Sequence, residues 1–206
     1  MKILIVGGTG RIGTLLAKQL SARGHTVISA SRQVVNTTTT MTLDLHAAPE
    51  KLAPQLKGMD LIYFVAGSRG NDLLQTDLNG AVNIMKAAEL SGVQRYIQLS
   101  SAFALQPEHW HEGYLAGITD YNIAKYFADK WLMTQTNLAY TILQPGVLTE
   151  KPATGKVTFD VTKPGENSLA DVAGVLAKLA TATNTIGKVI MMGSGQQAIS
   201  RAVANV

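Results

Sequence analysis

The sequence contains no cysteine. Disulfides, thiolate metal sites and a cysteine nucleophile are therefore excluded, and a reducing cytoplasm is the expected compartment. No apolar run approaches the roughly 18 residues that a membrane-spanning helix needs, so no membrane partner is expected. Charged residues make up only 16% of the chain against 46% hydrophobic residues, which favours one folded domain over residues 1–206 rather than a disordered chain.

An excess of charge of one sign is also lacking. The chain has 18 Lys and Arg against 14 Asp and Glu, a formal net charge of +4. The basic residues are scattered and form no basic-aromatic stripe, so a nucleic-acid partner is not expected. A modest positive charge suits a polyphosphate cofactor or an anionic small-molecule substrate.

Glycine is plentiful at the start of the chain, which reads MKILIVGGTGRIG. The apolar run 3–6 is typical of a strand buried in a parallel sheet, and an apolar helical stripe follows over 12–20. Strand, glycine turn and helix in this order predict a dinucleotide-binding site, in which backbone N–H groups meet the pyrophosphate. The alternative is a glycine turn that binds nothing. The predicted cofactor contacts in this turn are Gly7, Gly8, Thr9, Gly10, Arg11, Ile12 and Gly13.

Strands and helices alternate along the rest of the chain. This alternation predicts an α/β, doubly wound domain with a mainly parallel sheet, helices on both faces and a small C-terminal extension. After the first strand, we expect strands over 26–30, 37–43, 61–66, 95–100, 140–144, 156–161 and 188–192. The expected later helices cover 49–56, 72–90, 119–134 and 168–179, the third of them following a long loop over 102–118.

The end of the second predicted strand indicates which dinucleotide binds. An acid there would bind the ribose 2′-hydroxyl of NAD, whereas an arginine receives the 2′-phosphate of NADP. The strand runs into Ser31 and Arg32 with no acid in reach, and Arg11 is a second candidate, so NADP(H) is favoured over NAD(H). The alternative is that both arginines are ordinary surface residues. Further predicted cofactor contacts, which follow the third and fourth strands, are Asp44, Leu45, Ala66, Gly67 and Ser68.

Tyr121 and Lys125 are four residues apart in a predicted helix and therefore share a face. Reduction of a carbonyl by a nicotinamide needs a proton donor, and a tyrosine beside an ammonium group can serve. Lys125 is also predicted to bind the nicotinamide ribose. Ser100 and Ser101 follow the fifth strand and are candidates to polarise the same oxygen, which makes four catalytic candidates.

Motifs spread over most of the chain resemble the atypical short-chain dehydrogenases/reductases. The resemblance is to the small NAD(P)H-binding group similar to biliverdin reductase B/flavin reductase, NmrA-like proteins and short epimerase-like bacterial proteins. It implies a Rossmann fold with seven or more strands, catalytic roles for Tyr121 and Lys125, and a segment along the nicotinamide at Pro145, Gly146 and Val147. The active hydroxyl of extended members often falls where this chain has Ala102. The matching segments are GGTGRIG at 7–13, SASR at 29–32, DLNGAVNIMKAAELSGVQRYIQLSS at 77–101, YNIAKYFADKWL at 121–132, YTILQPGVLTE at 140–150 and SLADVAGVLAKL at 168–179.

These features together predict an NADP(H)-dependent oxidoreductase that acts on a small carbonyl, flavin or quinone. One alternative is an NmrA-like module that binds the dinucleotide and senses redox state without turnover. The other is an NAD-dependent sugar epimerase or dehydratase, which Arg32 and the short C-terminal part disfavour. Loop 102–118 is a candidate substrate lid, and His109 and His111 in it lack a third ligand, so no metal is expected. The protein is expected to be a monomer or a homodimer.

Overall fold

The computed structural model describes residues 1–33, 37–159 and 161–206. Its helices are α1 (Arg11–Ala22), α2 (Pro49–Leu56), α3 (Gly80–Ser91), α4 (Thr119–Gln135), α5 (Leu169–Leu179) and α6 (Ile199–Ala204). A π-helical stretch, Leu73–Asn79, precedes α3, and short 3-10 turns cover Pro107–His109, Gly113–Ile118 and Thr183–Thr185. The strands are β1 (Lys2–Val6), β2 (Thr26–Ser31), β3 (Thr40–Thr42), β4 (Leu61–Phe64), β5 (Arg95–Leu99), β6 (Ala139–Pro145), β7 (Val147–Thr149), β8 (Lys156–Phe159), β9 (Glu166–Ser168), β10 (Lys188–Ser194) and β11 (Gln197–Ala198).

The central sheet has nine strands in the order β11-β8-β10-β6-β5-β4-β1-β2-β3. From β3 across to β10 the neighbouring strands are parallel, while β8 is antiparallel to both β10 and β11. β7 and β9 form a separate parallel pair. β1 lies between β2 and β4. The chain continues from β1 to β2 and β3 on one side and then returns to β4 on the other side. This reversal of strand order opens a crevice at the carboxyl edge of the sheet. The predicted α/β fold with a mainly parallel sheet is confirmed.

Both faces of the sheet are covered. Successive side chains of β1 point to opposite faces, so each face receives apolar residues from this strand. Ile3 and Ile5 point into the core that contains residues of α1 and α5. Leu4 and Val6 point into the opposite core, to which α2, α3 and α4 contribute. The strand is therefore buried on both sides, which explains its uninterrupted apolar sequence.

The largest difference from the predicted elements lies over 72–90. The single expected helix is a π-helical stretch followed by α3, which ends at Gly92 in the left-handed conformation. The expected strand over 37–43 is shorter, Thr40–Thr42, and the one over 156–161 is shortened to Lys156–Phe159, with residue 160 outside the described residues. The chain after the last expected strand, 188–192, for which no element is predicted, forms β11 and α6. No helix in the described part of the chain is long and apolar enough to cross a membrane.

Candidate active site

A cleft of about 370 Å³ lies at the carboxyl edge of the sheet, above the crevice between β1 and its neighbours. The ends of β1, β2 and β4 form its floor, and α4 contributes one wall. Most of the predicted site residues meet in this cleft. Those that line it are Gly7, Thr9, Gly10, Arg11, Ile12, Ser31, Arg32, Leu45, Ala66, Gly67, Tyr121 and Lys125.

Two of the predicted glycines shape the turn without lining the cleft. A Cβ on Gly8 would lie 2.6 Å from the Ser29 Cβ, and one on Gly13 would lie 2.3 Å from the carbonyl oxygen of Gly7. Gly7 itself has φ +86°, and its added Cβ would meet the Ala66 backbone at 2.6 Å. Only glycine fits these positions, so the sequence motif is a packing requirement that brings the start of α1 close to β1 and β4.

The start of α1 is equipped to bind phosphate. Gly10 at the N-cap supplies no side-chain hydrogen bond to the helix, and the first turn contains no acidic residue. The first N–H groups of the helix therefore keep their capacity to bind an anion, and the helix dipole adds to it. These residues fit the pyrophosphate of a dinucleotide.

Two arginines line the adjoining part of the cleft. Arg11 Nη1 lies 3.1 Å from Glu150 Oε1 in an exposed ion pair, and Arg32 lies at the end of β2. Asp72 lies outside the cleft lining, and its pKa is lowered chiefly by the hydrogen bond from Thr76, with His46 and Arg32 adding to the effect. Asp44, a predicted cofactor contact, also lies outside the cleft lining, and its carboxylate accepts a hydrogen bond from the His46 backbone N–H at 3.0 Å.

Tyr121 and Lys125 stand side by side on α4. The Lys125 Nζ lies 5.5 Å from the centre of the Tyr121 ring and donates to the Leu99 carbonyl oxygen at 3.3 Å. Burial raises the pKa of the Tyr121 phenol, and the carboxylates of Asp77 and Asp129 add to this rise, against a lowering effect of Lys125. The phenol is therefore protonated at neutral pH and has a proton to donate.

Ser100 and Ser101 are buried outside the cleft lining. The Ser100 hydroxyl donates to Asp129 Oδ2 at 2.6 Å, so its single proton is directed to a buried carboxylate. Gln98 and Gln144 donate to the same carboxylate at 2.7 and 3.1 Å. Burial nevertheless raises the pKa of Asp129 above the ordinary carboxyl value. Ser100 follows Leu99, which lines the cleft, but the Ser100 side chain points to Asp129 instead.

The predicted nicotinamide segment is held beside the cleft by backbone hydrogen bonds. The Pro145 carbonyl accepts from the Ala102 N–H at 2.9 Å, and the Gly146 N–H donates to Asn167 Oδ1 at 2.8 Å. The Val147 N–H donates to the Gly165 carbonyl at 2.8 Å. These three residues lie outside the lining, and the next residue, Leu148, reaches the cleft instead.

Several residues that line the cleft are not predicted from the sequence, because they lie in the π-helical stretch and in the turn before it. Asp77 is fully buried, and its Oδ2 accepts a hydrogen bond from the Ser68 N–H at 2.9 Å. Ser68, a predicted cofactor contact, lies outside the cleft lining. Within the described residues, Asp77 Oδ1 has no hydrogen-bond partner, and a Cβ on Gly67 would lie 3.2 Å from it. Sequence periodicity gave no signal for this arrangement. The other lining residues that were missed are Val6, Ala30, Leu43, Val65, Arg69, Thr76, Leu99, Leu148 and Leu169.

Loop 102–118 folds onto itself. Ala102, Phe103 and Leu115 are buried together, and the Trp110 indole N–H donates to the Phe103 carbonyl at 3.0 Å. His109 Nδ1 lies 2.9 Å from Glu112 Oε1. Across the described ranges, no group of three or more His, Cys, Asp or Glu side chains is arranged to hold a metal ion.

The parallel sheet and the glycine turn at its switch point define a dinucleotide-binding α/β protein. The family model described as NAD(P)H-binding matches residues 7–183, and the chain belongs to this family. YhfK of Bacillus subtilis (strain 168), described as an uncharacterized sugar epimerase, is 30% identical over 217 residues that cover 98% of this chain and 99% of YhfK. The predicted resemblance to atypical short-chain dehydrogenases/reductases is confirmed at the level of fold and family.

Solved structures agree with this assignment. The chain is similar to the oxidoreductase ylbE from Lactococcus lactis, with 43% identity, a TM-score of 0.94 and coverage of 100% of this chain and 96% of ylbE. ChuY, an anaerobilin reductase from Escherichia coli O157:H7, shares 22% identity with a TM-score of 0.82 over 95% of this chain and 98% of ChuY. This second likeness is one of fold.

Proposed function

We propose that the protein is an NADP(H)-dependent oxidoreductase that reduces a small carbonyl, flavin or quinone. The observation that carries the proposal is the Tyr121–Lys125 pair on the wall of the cleft that the glycine turn opens. The similarity to ylbE, an oxidoreductase, supports it. A reduced nicotinamide bound in the cleft would supply a hydride. The residues of this chain would bind the cofactor and provide the proton.

Different residues would bind the cofactor and donate the proton. The first N–H groups of α1, those of Arg11 and Ile12, would hold the pyrophosphate, with Thr9 beside them. The N–H groups of Gly7 and Gly10 already donate to the carbonyl oxygens of Ala30 and Gly7. Lys125, which is only 2% exposed, would donate to the nicotinamide ribose and offset negative charge that develops on the substrate oxygen. The Tyr121 phenol would give its proton to that oxygen.

Arg32 supports the preference for NADP(H). It lines the cleft where β2 ends, whereas Asp77, the acidic residue among the described lining residues, comes from the π-helical stretch. Asp72, whose carboxylate interacts with Arg32, lies outside the lining. Arg11 lies on the same side, and its ion pair with Glu150 is exposed, so an incoming phosphate can replace the carboxylate at little cost.

The decisive experiment compares wild-type protein with Tyr121→Phe. Carbonyl reduction is expected to fall by about 10²-fold or more, because the variant lacks the proton donor. NADPH affinity, measured by fluorescence titration, is expected to stay unchanged. Flavin reduction is expected to survive, since a flavin can take its proton from solvent. Unchanged carbonyl turnover in the variant would remove Tyr121 from the mechanism.

A binding module that senses redox state without turnover is the second candidate. The observation that favours it is the commitment of the Ser100 hydroxyl to Asp129, which leaves the cleft without this serine as a carbonyl-polarising group. Such a module would bind NADPH but oxidise none of it in the presence of a panel of carbonyls, quinones and flavins. Turnover with any member of the panel would exclude this second candidate.

A further inference from the structure

A second cavity, of about 570 Å³, adjoins the cofactor cleft. The two cavities share Arg69 and Tyr121, so the second one begins where the predicted proton donor stands. Its volume is within the range of pockets that hold small organic ligands. A substrate placed there would lie against Tyr121.

The walls of this cavity are largely apolar. Leu73 comes from the π-helical stretch, and Ala116, Gly117 and Ile118 come from the last turn of loop 102–118. These surfaces suit a flat ring system. Loop 102–118, the predicted lid, thus contributes a wall to a substrate cavity through its C-terminal end.

Arg69 provides the positive charge of the cavity. In the described chain no carboxylate lies within ion-pair distance of its guanidinium, since none of the ion pairs formed there includes it. The other charged lining residue, Asp120, belongs to the first turn of α4, where the helix dipole favours an acidic side chain. An anionic group that enters the cavity therefore finds an arginine that forms no ion pair with the described carboxylates.

The backbone around Arg69 is held in place. Arg69 adopts a left-handed conformation with φ 56°, which is rare for residues other than glycine. On its N-terminal side, the Ser68 N–H donates to Asp77 and the Ser68 carbonyl accepts from the Asn71 side chain at 3.1 Å. A strained residue that is fixed by its neighbours at the junction of two cavities is typical of a functional position.

We propose that the second cavity binds the electron-accepting substrate and that Arg69 recognises a phosphate or carboxylate group on it. The substrate class is then a planar, redox-active compound with an anionic substituent. This inference rests on the proposed function. For a flavin, the balanced reaction transfers one hydride from the reduced nicotinamide and one proton from solvent, which yields the dihydroflavin and the oxidised nicotinamide.

FMN and riboflavin form a matched pair of probes, because they share the ring system and differ in the phosphate. Wild-type protein saturated with NADP⁺ is expected to bind FMN about tenfold more tightly than riboflavin in a fluorescence titration, as one charge-assisted hydrogen bond would give. With NADPH, the KM values for reduction should show the same preference. Arg69→Gln is expected to abolish the preference, and Arg69→Lys to keep part of it. Asp120→Asn removes a negative charge and is expected to strengthen FMN binding.

The outcomes separate the inference from the proposed function. A preference for FMN in binding, without turnover of FMN or of any carbonyl, quinone or flavin in the panel, would support the role of Arg69 and overturn the oxidoreductase proposal. Equal affinity of the wild type for both flavins, or no binding of either, would overturn the role of Arg69. If Arg69→Gln instead weakens NADPH binding and leaves the flavin preference intact, Arg69 belongs to the cofactor site and the inference fails.

Discussion

The protonation state of Tyr121 depends on charges that come from two different elements. Asp77 lies in the π-helical stretch, and Lys125 and Asp129 follow Tyr121 on α4 at intervals of four residues. The carboxylates act in the same direction as burial and hold the pKa of the phenol above its ordinary value, while Lys125 opposes them. A tyrosine in this setting gives up a proton to a developing alkoxide more readily than it acts as a base at neutral pH, which suits reduction.

Arg32 is the residue on which the cofactor preference rests. Arg32→Ala is expected to weaken NADPH binding by about 10- to 100-fold, because a charge-assisted hydrogen bond to the 2′-phosphate is lost. NADH affinity should change little, since NADH lacks that phosphate. Fluorescence titration of both nucleotides against both proteins measures the effect. Wild-type protein that binds NADH as tightly as NADPH would refute the preference.

The glycine turn fixes how closely α1 approaches β1. Gly13→Ala would place a Cβ 2.3 Å from the Gly7 carbonyl oxygen, so the helix or the turn must move. We expect unfolding free energy to fall by about 1–3 kcal/mol, as overpacking does, together with a loss of NADPH affinity. Gly165→Ala is the matched control, because a Cβ there meets nothing within 4 Å. Denaturant unfolding and nucleotide titration of both variants test this, and equal effects of the two substitutions would contradict it.

The same elements show what the sequence can predict. The core strands β1 and β4 have apolar runs that match their burial, and the glycines identify the cleft. The three-residue strands β7 and β9 are too short for any periodicity, and the pattern of a π-helical stretch resembles that of an α-helix. The direction of the Ser100 hydroxyl depends on Asp129, 29 residues away in the chain, and Arg69 enters the site only through the turn after β4. Such placements arise from tertiary contacts, which a local pattern does not contain.

For the whole molecule, Asp129 links stability to pH. The carboxyl group lies at the centre of the fold, where α4 packs on the sheet between β5 and β6, and burial is the largest cause of its raised pKa. The folded state therefore keeps the proton more firmly than the unfolded chain, whose carboxyl has the ordinary pKa of 3.8. The contribution of this group to stability is greatest below that value, and it declines as pH rises through the folded pKa.

Asp129→Asn isolates this contribution, because the amide is neutral at every pH and occupies nearly the same volume. The melting temperature of the wild type minus that of the variant is expected to fall as pH rises from the ordinary carboxyl pKa of 3.8 through the raised folded-state pKa, and then to level off once the folded-state carboxyl is ionised. Thermal unfolding of both proteins across this range measures the difference. Asn205→Asp, at the exposed end of the chain, is a control that should show no such trend. A difference that stays constant with pH would contradict the raised pKa of Asp129 and mean that its three hydrogen-bond donors fully offset its burial.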